Sequence, residues 1–343
     1  MTKPRHVLVF RFSSLGDVAM TVPVLKLLLQ QHPDLRVTMV STHFVQPLFE
    51  GLDRLSFYAV EPKAKHKGLS GMYRLFRELR SLNKFDSIAD LHNVLRTKLL
   101  RFFFRFSAIS LSVIDKGRKE KKELTRPHDK KLRPLKSTFR RYADVFEQLG
   151  LQVQLEAEKG IVRLSVKNDM LQLKQEGYRL LGIAPFALHP EKMYPSEKMK
   201  EVIRLLEQHS GIKVLLLGSK NDAVALEQWE SQFPHVRSLA GKINFKKELE
   251  IISQLDLMVS MDSANMHLAS LYGVPVISIW GGTHPYLGFY GWGQSLENAI
   301  QVDLECRPSS VFGNKPCPRG DLACLNLISP VSIYEKILKE LNI

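Results

Sequence analysis

The chain has 343 residues, of which 44% are hydrophobic and 24% charged, and it contains 20 glycines and 17 prolines. This usage is typical of a globular protein and excludes a disordered, collagen-like or coiled-coil chain. At roughly 150 residues per domain, the length predicts two domains. Arg105 interrupts the most apolar stretch, residues 102–114. No run therefore reaches the roughly 18 to 20 residues that span a bilayer.

The N-terminus does not have the sequence of a secretory signal. Lys3 and Arg5 precede an apolar run, residues 7–10, that ends at Arg11. This run is too short for the core of a signal peptide, so a cytoplasmic protein is expected.

Three cysteines stand near the C-terminus: Cys306, Cys317 and Cys324. An odd number argues against a disulfide framework and agrees with reduced thiols in the cytoplasm. A zinc site built from them needs a fourth ligand, and their intervals match no zinc pattern, so no metal site is expected.

The formal net charge of +14 comes from one half of the chain. Residues 1–170 hold 32 Lys and Arg against 17 Asp and Glu, whereas residues 171–343 hold 17 against 18. Residues 92–141 alone carry 16 basic and 4 acidic side chains. This asymmetry predicts an anionic partner: nucleic acid, an acidic membrane surface, or a phosphorylated or carboxylated substrate. A solvated basic face without a partner is the alternative.

The first half of the chain alternates strands and helices. Runs rich in β-branched and aromatic residues predict four strands, at residues 6–12, 36–41, 55–60 and 87–91. Apolar residues at helical spacing predict helices at residues 17–31 and 72–82. The alternation predicts a mainly parallel sheet covered on both faces.

The same alternation restarts after a polar stretch, residues 167–177. Strands are predicted at residues 180–185, 213–218, 256–260 and 274–280. Helices are predicted at residues 196–209, 222–233, 245–254 and 264–272. We therefore expect two doubly wound domains, residues 1–170 and 171–343. A closing helix at residues 331–342 could pack back on the first domain.

Ligands of open parallel sheets bind outside the carboxyl ends of the strands, and three loops at such positions are unusual. The first is Ser13-Ser14-Leu15-Gly16-Asp17. Its small residues let a substrate approach the backbone, and Asp17 places a carboxylate at a helix start. Helix capping by Asp17 explains the same sequence without any function.

The second loop, residues 261–267, follows an apolar strand and opens a helix. With Asp262 or Ser263 as the cap, the first free N–H groups of the helix form an anion site, strengthened by about half a positive charge of helix dipole. These groups belong to Ser263, Ala264 and Asn265. A diphosphate fits such a site. His267 lies about one turn into the helix and could face the site, although an isolated helical histidine is more often structural.

The third loop, residues 280–285, is a glycine-rich exit from a buried strand and continues into residues 288–293. Glycines beside aromatic rings suit a base or sugar lying against the backbone, but a tight aromatic loop has the same sequence. The chain has neither G-x-G-x-x-G after its first strand nor G-x-x-x-x-G-K-[ST]. An NAD enzyme or a P-loop ATPase would therefore lack its phosphate-binding loop.

Short segments along nearly the whole chain carry a family resemblance. In the first half they are residues 11–17 with Pro23, residues 90–92 with Arg96, and residues 141–142 before 149–150. In the second half they are residues 184–186, 192–195, 216–218, 248–249, 262–269 and 280–285. In order and spacing these segments resemble glycosyltransferase family nine, the bacterial ADP-heptose:lipopolysaccharide heptosyltransferases.

The resemblance implies the GT-B architecture, in which two Rossmann-like domains face each other across a cleft. The N-terminal domain would bind mainly the acceptor and the C-terminal domain mainly the nucleotide-sugar donor, ADP-heptose. The implied reaction is an inverting transfer without metal or cofactor, in which Asp17 matches the family's base. The implied acceptor is an acidic lipid A precursor with Kdo carboxylates and phosphates, at the inner face of the cytoplasmic membrane. The basic first half agrees with such an acceptor.

The resemblance also assigns binding residues. Lys192 matches the family's phosphate-binding lysine, and Asp262 and His267 match its donor-site motif. Further donor contacts are expected at Gly218, Ser263, Ala264, Asn265 and Thr283. Acceptor contacts are expected at Ser14, Gly16, Arg96 and Arg141. Ala264 and Asn265 stand where better-known heptosyltransferases have Gly and Leu.

Two alternatives stay open at this point. One is a GT-B transferase that uses another nucleotide sugar or another surface-glycan acceptor. The other is a non-catalytic nucleic-acid-binding protein, whose aromatic residues near 102–106 stack bases while the basic residues neutralise phosphates. Nucleic-acid binding by this segment would assign no role to the second domain or to Asp17, so no nucleic-acid partner is expected.

The basic segment, residues 96–141, is instead expected to hold the enzyme at the anionic membrane surface as a peripheral protein. Within it, residues 102–106 are either helix core or membrane contact.

Overall fold

The structure is a computed structural model that describes residues 5–107, 109–155, 174 and 176–343. It divides into two compact units: Met1–Lys116 with Ser137–Glu158, and Gly117–Lys136 with Lys159–Ile343. The predicted division between residues 170 and 171 lies outside the described residues. The segment Gly117–Lys136, which that division places in the first domain, belongs to the second unit.

The first unit is a parallel sheet of five strands in the order β3-β2-β1-β4-β5. Its strands are β1 (His6–Phe10), β2 (Arg36–Thr42), β3 (Leu55–Val60), β4 (Ser87–Asp90) and β5 (Ser110–Val113). Its helices are α1 (Leu15–Ala19), α2 (Thr21–Gln31), α3 (Gly68–Leu82), α4 (Leu95–Phe104) and α6 (Thr138–Glu147). A 3-10 helix, His43–Phe49, follows β2.

The central strand β1 shows why the sheet forms. Val7, Leu8, Val9 and Phe10 are all fully buried, as expected of a parallel strand with helices on both faces. Phe10 pairs with Val40 on one side and with Asp90 on the other. The loops that leave β1 and β4 therefore start side by side at the carboxyl edge of the sheet.

The second unit is a parallel sheet of six strands in the order β11-β10-β9-β6-β7-β8. Its strands are β6 (Arg179–Ala184), β7 (Ile212–Leu216), β8 (Val236–Ser238), β9 (Leu257–Met261), β10 (Val276–Ile279) and β11 (Ala299–Ile300). Its helices are α5 (Arg118–Leu124), α7 (Ser196–Leu206), α8 (Ala223–Gln232), α9 (Phe245–Ile252), α10 (Ala264–Leu271), α11 (Ala323–Asn326) and α12 (Pro330–Leu341). The closing helix α12 packs against α7 and β9 of this unit.

The predicted fold class, two doubly wound α/β domains, is confirmed. The helix predicted at residues 17–31 is instead two helices, α1 and α2, with Met20 between them. Pro23 is the cause we identify, because its nitrogen has no hydrogen to donate to the carbonyl of Ala19, so the chain must start a new helix with Pro23 in its first turn. Within the described residues, no helix has the length and apolar character needed to cross a membrane.

Candidate active site

Asp17 lies in the first turn of α1, directly after the loop that leaves β1. Its Oδ2 is 2.5 Å from Arg11 Nη2 and accepts a hydrogen bond from Ser14 Oγ at 2.8 Å. The Tyr142 hydroxyl donates to the Asp17 backbone carbonyl at 3.2 Å. With 37% of its side chain exposed, Asp17 is held in one orientation while a substrate can still reach it.

The capping interpretation of Asp17 also holds in the structure. Ser14 is the N-cap residue, and its backbone N–H points at Asp17 Oδ2 at 3.4 Å. Capping does not explain Arg11, whose guanidinium is nearly buried and donates from Nη1 to the Leu91 carbonyl at 2.9 Å. The chain has therefore placed a fixed positive charge beside a partly exposed carboxylate, at the edge of the sheet where ligands bind.

Arg11 is a site residue that the sequence interpretation did not single out. The sequence did contain a clue to Arg11, because a charged residue directly after a fully buried strand is unusual unless it is paired with an opposite charge. The pairing partner could not be identified from one sequence.

The loop after β4 supports the Asp17 loop. Asp90 is fully buried, and its Oδ1 accepts from the backbone N–H groups of His92 at 2.9 Å and Asn93 at 2.8 Å. The Phe12 backbone N–H donates to His92 Nδ1 at 3.3 Å. His92 therefore carries its proton on Nε2 when neutral.

Burial, together with the nearby positive charges of Arg11 and Lys116, lowers the pKa of His92 to about 3. Because the ring stays neutral at physiological pH, His92 adds no charge to the Asp17 site.

The predicted acceptor residues have different environments. Ser14 and Gly16 precede Asp17 in the same helical turn. Arg96 is exposed at the start of α4. Arg141 is nearly fully buried in α6, and its Nη1 donates to the Asp115 carbonyl at 3.3 Å. Their acceptor roles stay predictions.

In the second unit, Asp262 follows β9 and has only 3% of its side chain exposed. Its Oδ2 lies 2.7 Å from Lys192 Nζ and accepts a hydrogen bond from Thr283 Oγ1 at 2.7 Å. These residues follow β9, β6 and β10, which are neighbours in the sheet. Three predicted donor residues from separate segments therefore meet at one carboxylate oxygen.

The helix α10 begins beside this cluster. Ser263 is its N-cap residue, and its Oγ lies 3.2 Å from Ser260 Oγ. Ala264 and Asn265 are the first helical residues, and His267 is buried in the next turn. The helix start therefore lies next to Asp262 in the chain, as the anion-site prediction requires, although donor binding by these residues is still a prediction.

Gly218 lies just beyond β7. A Cβ atom at this position would stand 2.8 Å from Leu226 Cδ1 and 3.2 Å from Asp222 Cβ. The close packing of Leu226 and Asp222 favours a glycine here without any ligand, and a donor contact at Gly218 stays a prediction.

The glycine-rich loop after β10 packs on protein backbone. A Cβ on Gly281 would stand 2.4 Å from the Glu191 carbonyl oxygen, and the Gly282 N–H donates to that oxygen at 3.0 Å. Trp280 stacks on the rings of Phe289 and Tyr290. The glycines therefore bring this loop against the segment that carries Lys192. The tight aromatic loop is the interpretation that these contacts favour.

Arg307 is a second residue that the sequence interpretation missed. The residue is 5% exposed, and its guanidinium donates to the carbonyls of Gly281 at 2.6 Å and Thr283 at 2.9 Å. It also donates to the Val302 carbonyl at 2.5 Å and to Gln301 Oε1 at 3.1 Å. One side chain thus fixes the loop that presents Thr283 to Asp262. Burial lowers the pKa of Arg307.

The aliphatic stem of Lys192 runs past Gly313. Gly313 has a φ of +73°, and a Cβ there would stand 2.4 Å from Lys192 Cγ. The absence of a side chain at residue 313 therefore leaves room for the lysine to reach Asp262.

Comparison with known proteins gives a consistent result. A profile of glycosyltransferase family 9 (heptosyltransferase) matches residues 72–315. The lipopolysaccharide core heptosyltransferase OpsX of Haemophilus influenzae is 23% identical over 320 residues, which cover 87% of this chain and 85% of that protein.

Solved structures show the same fold. The glycosyl transferase family 9 protein from Veillonella parvula has a TM-score of 0.76 at 20% identity, covering 98% of this chain and 97% of that one. The E. coli heptosyltransferase WaaC with ADP-2-deoxy-2-fluoro heptose has a TM-score of 0.66 at 19% identity. The match covers 97% of this chain and 99% of that one.

Proposed function

The chain belongs to glycosyltransferase family 9 and is a heptosyltransferase of lipopolysaccharide core biosynthesis; we propose that it moves heptose from ADP-heptose to an acidic inner-core acceptor of the Kdo-lipid A type, with inversion and with Asp17 as the base. The observation that carries this proposal is the Asp17 carboxylate, held by Arg11 and Ser14 and still partly exposed.

The proposed step is a single displacement at the anomeric carbon. Asp17 takes the proton of the acceptor hydroxyl while the hydroxyl oxygen forms a bond to C1 of the heptose. The bond from C1 to the β-phosphate oxygen breaks on the opposite face, and ADP leaves with its electron pair. A base positioned for this step contributes about 10²- to 10⁴-fold to the rate.

The second unit would hold the donor and stabilise the leaving group. The Lys192 ammonium has three N–H donors, so it can keep its contact with Asp262 and still donate to a phosphate oxygen. The N–H groups at the start of α10 would add donors and helix dipole at the same diphosphate. No metal or cofactor is needed in this proposal.

The first unit would bind the acceptor. Its basic character matches an acceptor with carboxylates and phosphates, and the same charge supports a cytoplasmic location at the anionic inner face of the membrane. ADP-heptose is proposed as the donor because the WaaC structure was solved with an ADP-heptose analogue. The alternative, transfer of a sugar other than heptose, is tested by the assay described next.

The test is an assay of ADP release from a panel of nucleotide sugars, with a soluble Kdo-containing acceptor and determination of the anomeric configuration of the product. The proposal expects selective turnover of ADP-heptose and inversion at C1. Retention of configuration, or faster turnover of another nucleotide sugar, would contradict it.

A further inference from the structure

Helix α4, the two residues that follow it and the edge strand β5 form an exposed surface with an unusual composition. Its apolar members are Leu95, Phe102, Phe106 and Leu111, and its cations are Arg96, Lys98 and Arg105. We refer to these seven residues as the α4 surface. Phe102 is 56% exposed and Phe106 is 85% exposed, which is far from the environment that large aromatic side chains usually have.

Helix periodicity separates this surface from the core. Thr97, Leu100 and Phe104 are buried against the sheet. Residues 95, 98, 102 and 105 recur at intervals of three and four, so they share the opposite face of the helix. The Phe102 and Phe106 rings contact each other edge to face, with centroids 6.5 Å apart. The question left by the sequence, whether residues 102–106 are core or surface, therefore has a mixed answer: Phe104 is core, whereas Phe102 and Phe106 are surface.

A cavity of about 410 Å³ opens within this surface. Its apolar lining is Ile88, Phe102, Phe104, Ile109 and Leu111, and its cationic lining is Lys98, Arg101 and Arg105. The volume is in the range of roughly 300 to 1,000 Å³ that small-molecule pockets occupy. An apolar interior with cations around it matches a ligand that has a hydrocarbon part and an anionic part.

The segment that carries the α4 surface has charged side chains of one sign. Residues 91–114 contain four cations and no Asp or Glu. Arg101 is engaged by the buried Asp90, with Nε 3.2 Å from Oδ2. Lys98 and Arg105 are exposed, so their charges face the solvent beside Phe102 and Phe106.

Other parts of the basic segment 96–141 are less suited to a membrane contact. Arg140 forms ion pairs with Asp144 and Glu147. Arg141 is nearly fully buried. Lys121 stacks on Phe289 within the second unit. The combination of exposed aromatic rings and exposed cations is found at the α4 surface.

We propose that the α4 surface is the membrane contact of this enzyme, and that the cavity takes an acyl chain of an anionic phospholipid while Lys98 and Arg105 bind its phosphate. This inference rests on the membrane location proposed above and names the residues that produce it. Phe102 and Phe106 enter the boundary between headgroups and acyl chains, as the apolar residues of interfacial helices do. The cations supply the attraction to an acidic surface.

The test is co-sedimentation of the full-length protein with vesicles of phosphatidylcholine alone or mixed with phosphatidylglycerol, without any acceptor. Binding is expected only to the mixed vesicles and should weaken between about 50 and 300 mM salt. The double variant K98Q/R105Q should bind about 25-fold more weakly, because each cation near an acidic surface contributes about 1 kcal/mol. F102S/F106S should also lose binding, whereas F44S, a change at another exposed phenylalanine, should retain it.

The cavity is tested with the variant L111W and phospholipids brominated along their acyl chains. If an acyl chain enters the cavity, the brominated lipid should quench the added tryptophan of L111W. Quenching should be weaker in L111W/I109F, because the larger side chain at residue 109 fills part of the cavity. The chain's own tryptophans, Trp229, Trp280 and Trp292, provide the background signal measured in the parent protein.

Binding that is equal on both vesicle types, or unchanged in both double variants, would overturn the proposal. So would a dimer of the wild-type protein that F102S/F106S dissociates, because the α4 surface would then be an interface between two copies. Activity with a soluble, deacylated acceptor should be unchanged in the double variants. An inactive wild-type protein that still binds vesicles would refute the proposed transfer and leave the membrane contact standing.

Discussion

The Lys192 ammonium lies 2.7 Å from the buried Asp262 carboxylate, and the two residues come from different βα segments of the second unit. This contact places a positive charge at the carboxyl edge of the sheet, where the donor is proposed to bind. It also means that Lys192 has two roles, since it neutralises a buried carboxylate in addition to binding phosphate.

K192A should therefore have two separable effects. It should weaken ADP binding about tenfold to a hundredfold, because a charge-assisted hydrogen bond contributes roughly 1.5 to 3 kcal/mol. It should also lower the free energy of unfolding by roughly 1 to 3 kcal/mol, because Asp262 loses its counter-charge. Calorimetric titration with ADP and chemical denaturation measure the two effects. The matched variant K192A/D262N should recover stability without recovering ADP affinity, and an unchanged ADP affinity in K192A would exclude the phosphate role.

G313A tests whether the path of the Lys192 side chain matters. Its Cβ would collide with the lysine stem, so ADP should bind severalfold more weakly. G320A is the matched control, since Gly320 has a similar φ of +76° but no atom within 4 Å of an added Cβ. Both variants should lose roughly 1 kcal/mol of stability from backbone strain. Equal ADP affinity in the two variants would show that displacement of Lys192 has no consequence.

Arg307 should act as a positioning residue for the glycine-rich loop. R307K keeps the charge but cannot reproduce the fork of hydrogen bonds to Gly281 and Thr283. We expect the donor KM to rise about tenfold while the acceptor KM stays the same, measured by steady-state ADP release. R319Q is the control, because Arg319 is exposed and pairs with Asp321. A fall in kcat without any change in donor KM would contradict the positioning role.

The stability of the second unit should depend on pH through Glu248. Burial raises the pKa of Glu248 from 4.5 to about 7. Between these values the folded protein holds a proton that the unfolded chain has released, so the free energy of unfolding should fall as pH rises from about 4.5 to 7. The total fall is at most about 3 kcal/mol.

E248Q should remove that fall, because the amide does not titrate. Denaturation curves at pH 5 and pH 7.5 for both proteins provide the comparison. If the variant shows the same pH dependence as the wild-type protein, another group is responsible.

The sequence was sufficient to predict two parallel sheets, because β1 and β9 are fully buried, mainly apolar runs and the loops that follow them contain small and acidic residues. The short edge strands β5, β8 and β11 were not predicted. The sequence was not sufficient for α4 and β5, whose residues alternate between buried and exposed positions in the short range 95–113. Periodicity over so few residues does not separate a helix from a strand.

The contacts within the site could be predicted only in part. Asp17, Lys192, Asp262 and Thr283 were selected from their positions at strand ends and from the family resemblance. Arg11 and Arg307 were missed. Arg11 pairs with Asp17 in the same loop, but the turn that brings the two side chains together is not evident from the sequence. Arg307 contacts the carbonyls of Gly281 and Thr283, which belong to another segment of the chain. The partners of a buried guanidinium depend on the tertiary structure, which a single sequence does not contain.

The most direct test of the proposed transfer is the turnover of D17N with ADP-heptose and a soluble acceptor. Asparagine keeps the shape of the side chain and can still accept from Ser14, but it cannot take the acceptor proton. We predict a kcat at least about 10²-fold lower than that of the wild-type protein, with ADP affinity nearly unchanged. The melting temperature should fall, because the nearly buried Arg11 loses its counter-charge. A kcat within a few-fold of the wild-type value would show that Asp17 is not the base.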